Sequence, residues 1–135
     1  MIDEHTLAFI RDHAGDDVRQ LALQAARYPQ VDMRVAATQI EGRRLAATKL
    51  PSWAAVDEVV FPVRLSMEQC SSEQTARYKA SLVGGDRLAD LTGGFGIDCS
   101  YMSDQFSKTT YIERNEELCR IATHNFALLE KDITV

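Results

Sequence analysis

The nine residues Asp90-Leu91-Thr92-Gly93-Gly94-Phe95-Gly96-Ile97-Asp98 constrain this chain more than any other stretch. Before them, Leu88, Ala89 and Leu91 form a short apolar run that reads as a buried parallel strand. After them, a helical pattern carries Ile97, Met102 and Phe106 among its apolar positions. Strand, glycine bend and helix together suit a nucleotide-type cofactor. The glycines remove Cβ atoms where a ligand must approach the backbone, and the helix start offers unpaired N–H groups. A second strand over Thr109 to Ile112 leads into Glu113. An acidic side chain about twenty residues past such a bend can take the two hydroxyls of a ribose. The chain is laid out to hold an adenosine.

Which adenosine depends on charge. A dinucleotide site uses G-x-G-x-x-G, with the pyrophosphate against the helix start. Here Gly94 and Gly96 supply the first pair, and Cys99 stands where the third glycine belongs. The bend is bracketed by Asp90 and Asp98, and a carboxylate beside a pyrophosphate is repulsive. A ligand with no phosphate and a cationic amino-acid end suits both acids. S-adenosylmethionine, with its ammonium, sulfonium and ribose, fits that description. Two alternatives stand beside it: an NAD-type dinucleotide-binding protein, and a non-catalytic interaction module carried by the N-terminal helices.

The same stretch resembles motif I of class I S-adenosylmethionine-dependent methyltransferases, usually D-x-G-x-G-x-G. It is closest to the D-x-T-x-G-x-G-x-D variant of some RNA methyltransferases. Residues 66–135 also resemble a bacterial family of these enzymes with an extra N-terminal helical region and a downstream THUMP-like domain. The shared features are Glu68-Gln69-Cys70-Ser71-Ser72-Glu73, Thr75-Ala76, Tyr78-Lys79-Ala80, Asp90 to Asp98, and Tyr111 to Asn115. The resemblance implies that Asp90, Thr92, Gly94 and Gly96 line the methionine end of the donor and that Glu113 holds the ribose. Gly93, Asp98 and Arg114 complete the candidate set on this side. Thr92 replaces the first glycine of the general motif. In such enzymes the helix before the first strand closes over the donor, which makes Ser72, Thr75 and Lys79 candidates for the mouth.

At 135 residues the length is that of one domain, or a small one plus part of another. The net charge of −5 gives no whole-chain pull toward nucleic acid or a membrane surface. Cys70, Cys99 and Cys119 are odd in number, with no C-x-x-C and no histidine at ligand spacing. They read as reduced thiols in a cytoplasmic protein, with no metal site among them. No charged-then-apolar leader opens the chain, and no apolar run approaches a membrane span of about 18 residues.

Read in order, residues 1–50 form an N-terminal helical domain of three helices. Asp3 starts one reaching about His13, Asp16 and Asp17 one reaching about Arg27, and Asp32 one reaching Lys49 with a kink expected at Gly42. Arg34, Arg43, Arg44 and Lys49 share the outer side of the third, as a solvated face or as a contact for RNA backbone. Residues 51–70 read as a linker anchored by Trp53, with Val59, Val60 and Phe61 extended and limited by Pro62. Residues 71–135 read as a partial Rossmann-like domain. Its helices are capped by Ser71 or Ser72 and by Asn115, and a third strand opens at Ile133.

The expected fold class is therefore α/β: a helical bundle followed by the first half of a parallel class I methyltransferase sheet, cut at about the third strand. The Asn/Asp-Pro-Pro-type catalytic signature that the resemblance implies does not occur, since the prolines are Pro29, Pro51 and Pro62. The expectation is a donor-binding piece of a longer enzyme that acts on RNA, inactive alone. Its first strand would have a bare edge from Arg87 to Leu91, open to pairing with a second copy.

Overall fold

Helix starts are set by local chemistry, and in the computed structural model, which describes residues 1–135, the caps fall where the sequence puts them. Asp3 accepts from the Thr6 N–H at the start of α1 (Glu4–Asp12). Asp17 accepts from Arg19 and Gln20 at α2 (Val18–Leu23), and Asp32 from Val35 at α3 (Met33–Lys49). Each such cap stabilises its helix by about 1 kcal/mol. α2 is shorter than its pattern implies. It stops at Leu23, a tight turn over Ala25–Arg27 follows, and Ala22 and Ala25 are exposed. α3 runs unbroken through Gly42, against the expected kink. The Phe61 side chain packs directly on Gly42, where a Cβ would overlap it, so this glycine serves a close approach.

Residues 51–70 carry two short helices, α4 (Pro51–Ala54) and α5 (Arg64–Gln69). Between them Val59, Val60 and Phe61 are buried but belong to no sheet. Two side-chain amides replace the missing neighbours. The Phe61 N–H donates to Gln39 Oε1 and Gln39 Nε2 donates to the Phe61 carbonyl, both at 2.8 Å. The Val60 N–H donates to Asn125 Oδ1 at 2.9 Å, and Asn125 Nδ2 returns a bond to the Val60 carbonyl at 2.8 Å. A carboxamide offers a donor and an acceptor side by side, as a strand does, so no backbone group of this pair is orphaned.

The second half holds α6 (Glu73–Ser81), β1 (Gly85–Asp90), α7 (Ile97–Met102), β2 (Phe106–Tyr111), α8 (Glu116–Leu128) and β3 (Ile133–Thr134). Ser72 caps α6 and Asn115 caps α8. The three strands are parallel in the order β1-β2-β3, giving the α/β half-sheet expected. Phe106 opens β2 instead of continuing the helix, which ends at Met102. β1 is not the buried strand its apolar run suggests. Arg87 and Ala89 are exposed, and Leu91, just past the end of β1, is 70% exposed; β2 alone pairs with this strand.

A 15-residue core runs from Ala46 to Phe126 through Trp53, Phe61, Phe95 and Tyr111. A second core of six residues, including Phe9, Leu21 and Ile40, joins α1, α2 and α3. Most of the basic side of α3 is engaged within the molecule. Arg43 donates to the Asp57 carbonyl, Arg44 to the carbonyls of Ala14 and Asp16, and Lys49 to those of Met67 (2.8 Å) and Glu68 (3.0 Å). No helix is long and apolar enough to cross a membrane.

Candidate functional site

β1 delivers Asp90 to the start of the bend, where its Oδ1 accepts from the Thr92 N–H at 3.1 Å. This local turn reverses the chain away from the strand. Gly94 (φ +56°) and Gly96 (φ +90°) lie in the left-handed region, and α7 begins only at Ile97. Gly96 has a second constraint, since a Cβ there would come within 2.7 Å of the Phe126 ring. Gly93 abuts the Tyr111 ring, and a Cβ there would overlap it. The Tyr111 hydroxyl donates to the Gly94 carbonyl at 2.6 Å, so β2 props the bend from beneath.

Glu113 leaves the end of β2 and points at the bend. Its Oε2 accepts from the Gly94 N–H and its Oε1 from the Asn115 N–H, both at 2.9 Å. The Asn115 bond, seconded by the Gly94 bond against partial burial, holds this carboxyl below the usual carboxylate range, so it is ionised at neutral pH. Each carboxylate oxygen can accept a second hydrogen bond.

Asp98, at the first turn of α7, is not a free charge. Its Oδ2 accepts from Lys79 Nζ at 3.0 Å and from Ser71 Oγ at 3.1 Å, and Lys79 also donates to Ser71 Oγ at 3.0 Å. Its Oδ1 is buried with no partner. The pair of free carboxylates read from the sequence is thus reduced to one, Asp90, with Asp98 balanced by the Lys79 ammonium. Cys99 is fully buried, and burial foremost, with Asp90 and Asp98 nearby, pushes its thiol up to about 12. It is a packing residue.

These groups wall a polar cleft of about 700 Å³. Asp90, Thr92, Gly93, Gly94, Gly96, Asp98, Glu113, Arg114 and Lys79 all line it. Ser72 and Thr75 do not. Ser72 caps α6 and donates to Thr75 Oγ1 at 2.9 Å, while Ser71 is the serine that faces the cleft. Cys70, Asn115 and Leu118 are further wall residues that spacing did not single out. Asn115 caps α8 as its position suggests, and a residue just after the ribose-type acid is also placed to line the same cleft.

No family model and no curated protein matches the chain. Among solved structures it superposes on an inferred methyltransferase from Porphyromonas gingivalis W83, with a TM-score of 0.78 and 32% sequence identity. The fold is a methyltransferase fold. The match covers 100% of this chain and 36% of that one, so the chain spans little more than a third of that protein's length. In this methyltransferase fold, the cleft sits at the carboxyl ends of β1 and β2, where open parallel sheets place their ligands.

Proposed function

We propose that this chain is the donor-binding portion of a class I methyltransferase and takes S-adenosylmethionine in the cleft at the glycine bend. One observation carries the reading: the Glu113 carboxylate is fixed against the bend by the Gly94 N–H, tying the ends of β1 and β2 around one polar cleft. The cleft lies within the ~300–1,000 Å³ range of small-molecule sites. When bound, the donor supplies a methyl group on a positively charged sulfur.

The residues present fit that ligand. Glu113 keeps acceptor capacity for ribose hydroxyls beyond its two backbone bonds. Asp90, with one oxygen on the Thr92 N–H, keeps the other for an ammonium. Lys79 bonds Asp98 and Ser71 and retains a third N–H for a carboxylate at the same end. Thr92, Gly93, Gly94 and Gly96 give a wall that is mostly backbone, and Arg114 forms its lip. What these groups do is orient. Methyl transfer rests on aligning sulfur, methyl and acceptor, a proximity effect more than acid–base work. RNA as the acceptor class, and the supply of the catalytic group from outside these residues, rest on the sequence resemblance alone.

Calorimetric titrations with S-adenosylmethionine and with NAD test the reading side by side. Saturable heat with the former and none with the latter is expected. Glu113→Gln should weaken donor binding by about tenfold, the scale of a charge-assisted hydrogen bond. Binding of NAD alone, or equal affinity in the variant, would count against it.

A further inference from the structure

We infer that the N-terminal half is a working part of the donor site: Trp53 and Phe61 grip Phe95 and so fix the glycine bend that meets the donor. The inference rests on the donor reading above. Phe95 is the only side chain between Gly93 and Gly96, and it is 3% exposed. Its ring stands edge-on to Trp53 of α4 at 5.3 Å and tilted to Phe61 at 6.0 Å. Rings at such distances attract beyond the area they bury. Phe61 is itself held by the Gln39 amide of α3, so the grip passes into the N-terminal helices.

The need for a grip follows from the sequence of the bend. Glycines on both sides of Phe95 leave the backbone there free to take many conformations. A ligand that has to order this stretch loses affinity to the entropy of ordering it. The backbone of the bend is held by β2 and the residues after it, through the Gly93 N–H on the Ile112 carbonyl, the Gly94 N–H on Glu113 and the Gly94 carbonyl on the Tyr111 hydroxyl, while its one side chain, Phe95, enters the N-terminal half. Trp53 and Phe95 are positioning residues, acting on the donor through the backbone of the bend.

The chain has a single tryptophan, so tryptophan-selective fluorescence reports on the surroundings of Trp53, Phe95 among them. If the grip favours donor binding, donor binding must tighten the grip by the same factor. Saturating S-adenosylmethionine should lower acrylamide quenching of Trp53 by about twofold, with the midpoint found by calorimetry. Phe95→Leu should raise the donor Kd by about tenfold and abolish the quenching change. Leu21→Val, which loosens the separate core from α2 and away from Gln39, should lower the melting temperature but leave the Kd unchanged. Donor binding that leaves Trp53 quenching unmoved overturns the inference, as does a Phe95→Leu protein that binds as well as the parent. Should Phe95→Leu fail to fold, the quenching titration of the unaltered chain decides alone. Absence of any donor heat from the unaltered chain sinks the donor reading itself, a result distinct from heat without a quenching change.

Discussion

Residues 59–61 lie in the core outside any sheet, whereas β1 lies in the sheet outside the core. Val59 and Phe61 are each 1% exposed, and the backbone of Val60 and Phe61 is satisfied by Gln39 and Asn125. β1 has a backbone ladder on one side, and its Arg87 and Ala89 stand in solvent. Pairing and burial are therefore separate quantities. What a buried segment needs is that its polar groups be met, by whichever chemistry is at hand.

The largest expected effect breaks the first member of the pair. Asn125→Ala leaves the buried Val60 N–H and carbonyl without partners, and destabilisation by about 4 kcal/mol is expected from urea denaturation. A loss below about 1 kcal/mol would mean that burial, not the amide, holds the segment.

Acid probes a neighbouring seam. Glu73, buried on α6, accepts from the Tyr101 hydroxyl (2.6 Å), Arg77 (3.0 Å) and the Ser52 N–H (3.2 Å). Burial alone would raise this carboxyl, but bonds from Ser52 and Tyr101 outweigh it and lower it to about 2. A depressed carboxyl contributes stability that is full above the ordinary value near 4.5 and is lost as pH falls toward 2. A loss of about 3 kcal/mol is expected across that window, and Glu73→Gln should be less stable at neutral pH with a flatter acid limb.

At β1 the same measurements should register little. Arg87→Ala is expected to change stability by less than about 0.5 kcal/mol, because the side chain is exposed. The free edge has a different weakness. The Asp90 carbonyl points to β2, bonding the Ile112 N–H, so the alternate residue Ala89 turns its backbone outward. Weak self-association of the chain through this edge is expected in sedimentation at high concentration, and Ala89→Pro should remove it. A strictly monomeric parent would refute the pairing.

What was legible in the sequence was what neighbours in sequence decide. Asp3, Asp17, Asp32, Ser72 and Asn115 cap because a cap reaches only two or three residues ahead. The bend and Glu113 were legible because a strand, a turn and a helix fix their separation. Ser71 was missed for Ser72 because the choice between adjacent serines depends on how α6 is rotated against α7, which only packing sets. The basic residues of α3 were unreadable for a similar reason. Their partners are carbonyls of remote segments, such as Met67 and Glu68 for Lys49, and a carbonyl carries no sequence signal. Leu88 and Leu91 read as buried because an apolar run does not say what will pack over the face of a strand.

The Asn125 clamp also sets an order of events during synthesis. Val60 leaves the ribosome 65 residues before the side chain that satisfies it, whereas Gln39 precedes Phe61 by 22. A nascent chain can thus dock Phe61 onto α3 early, while the peptide group beside it stays wet until α8 has been made. Closure of the core is in this sense a late, long-range step, and an interruption of translation before Asn125 leaves an unfinished interior.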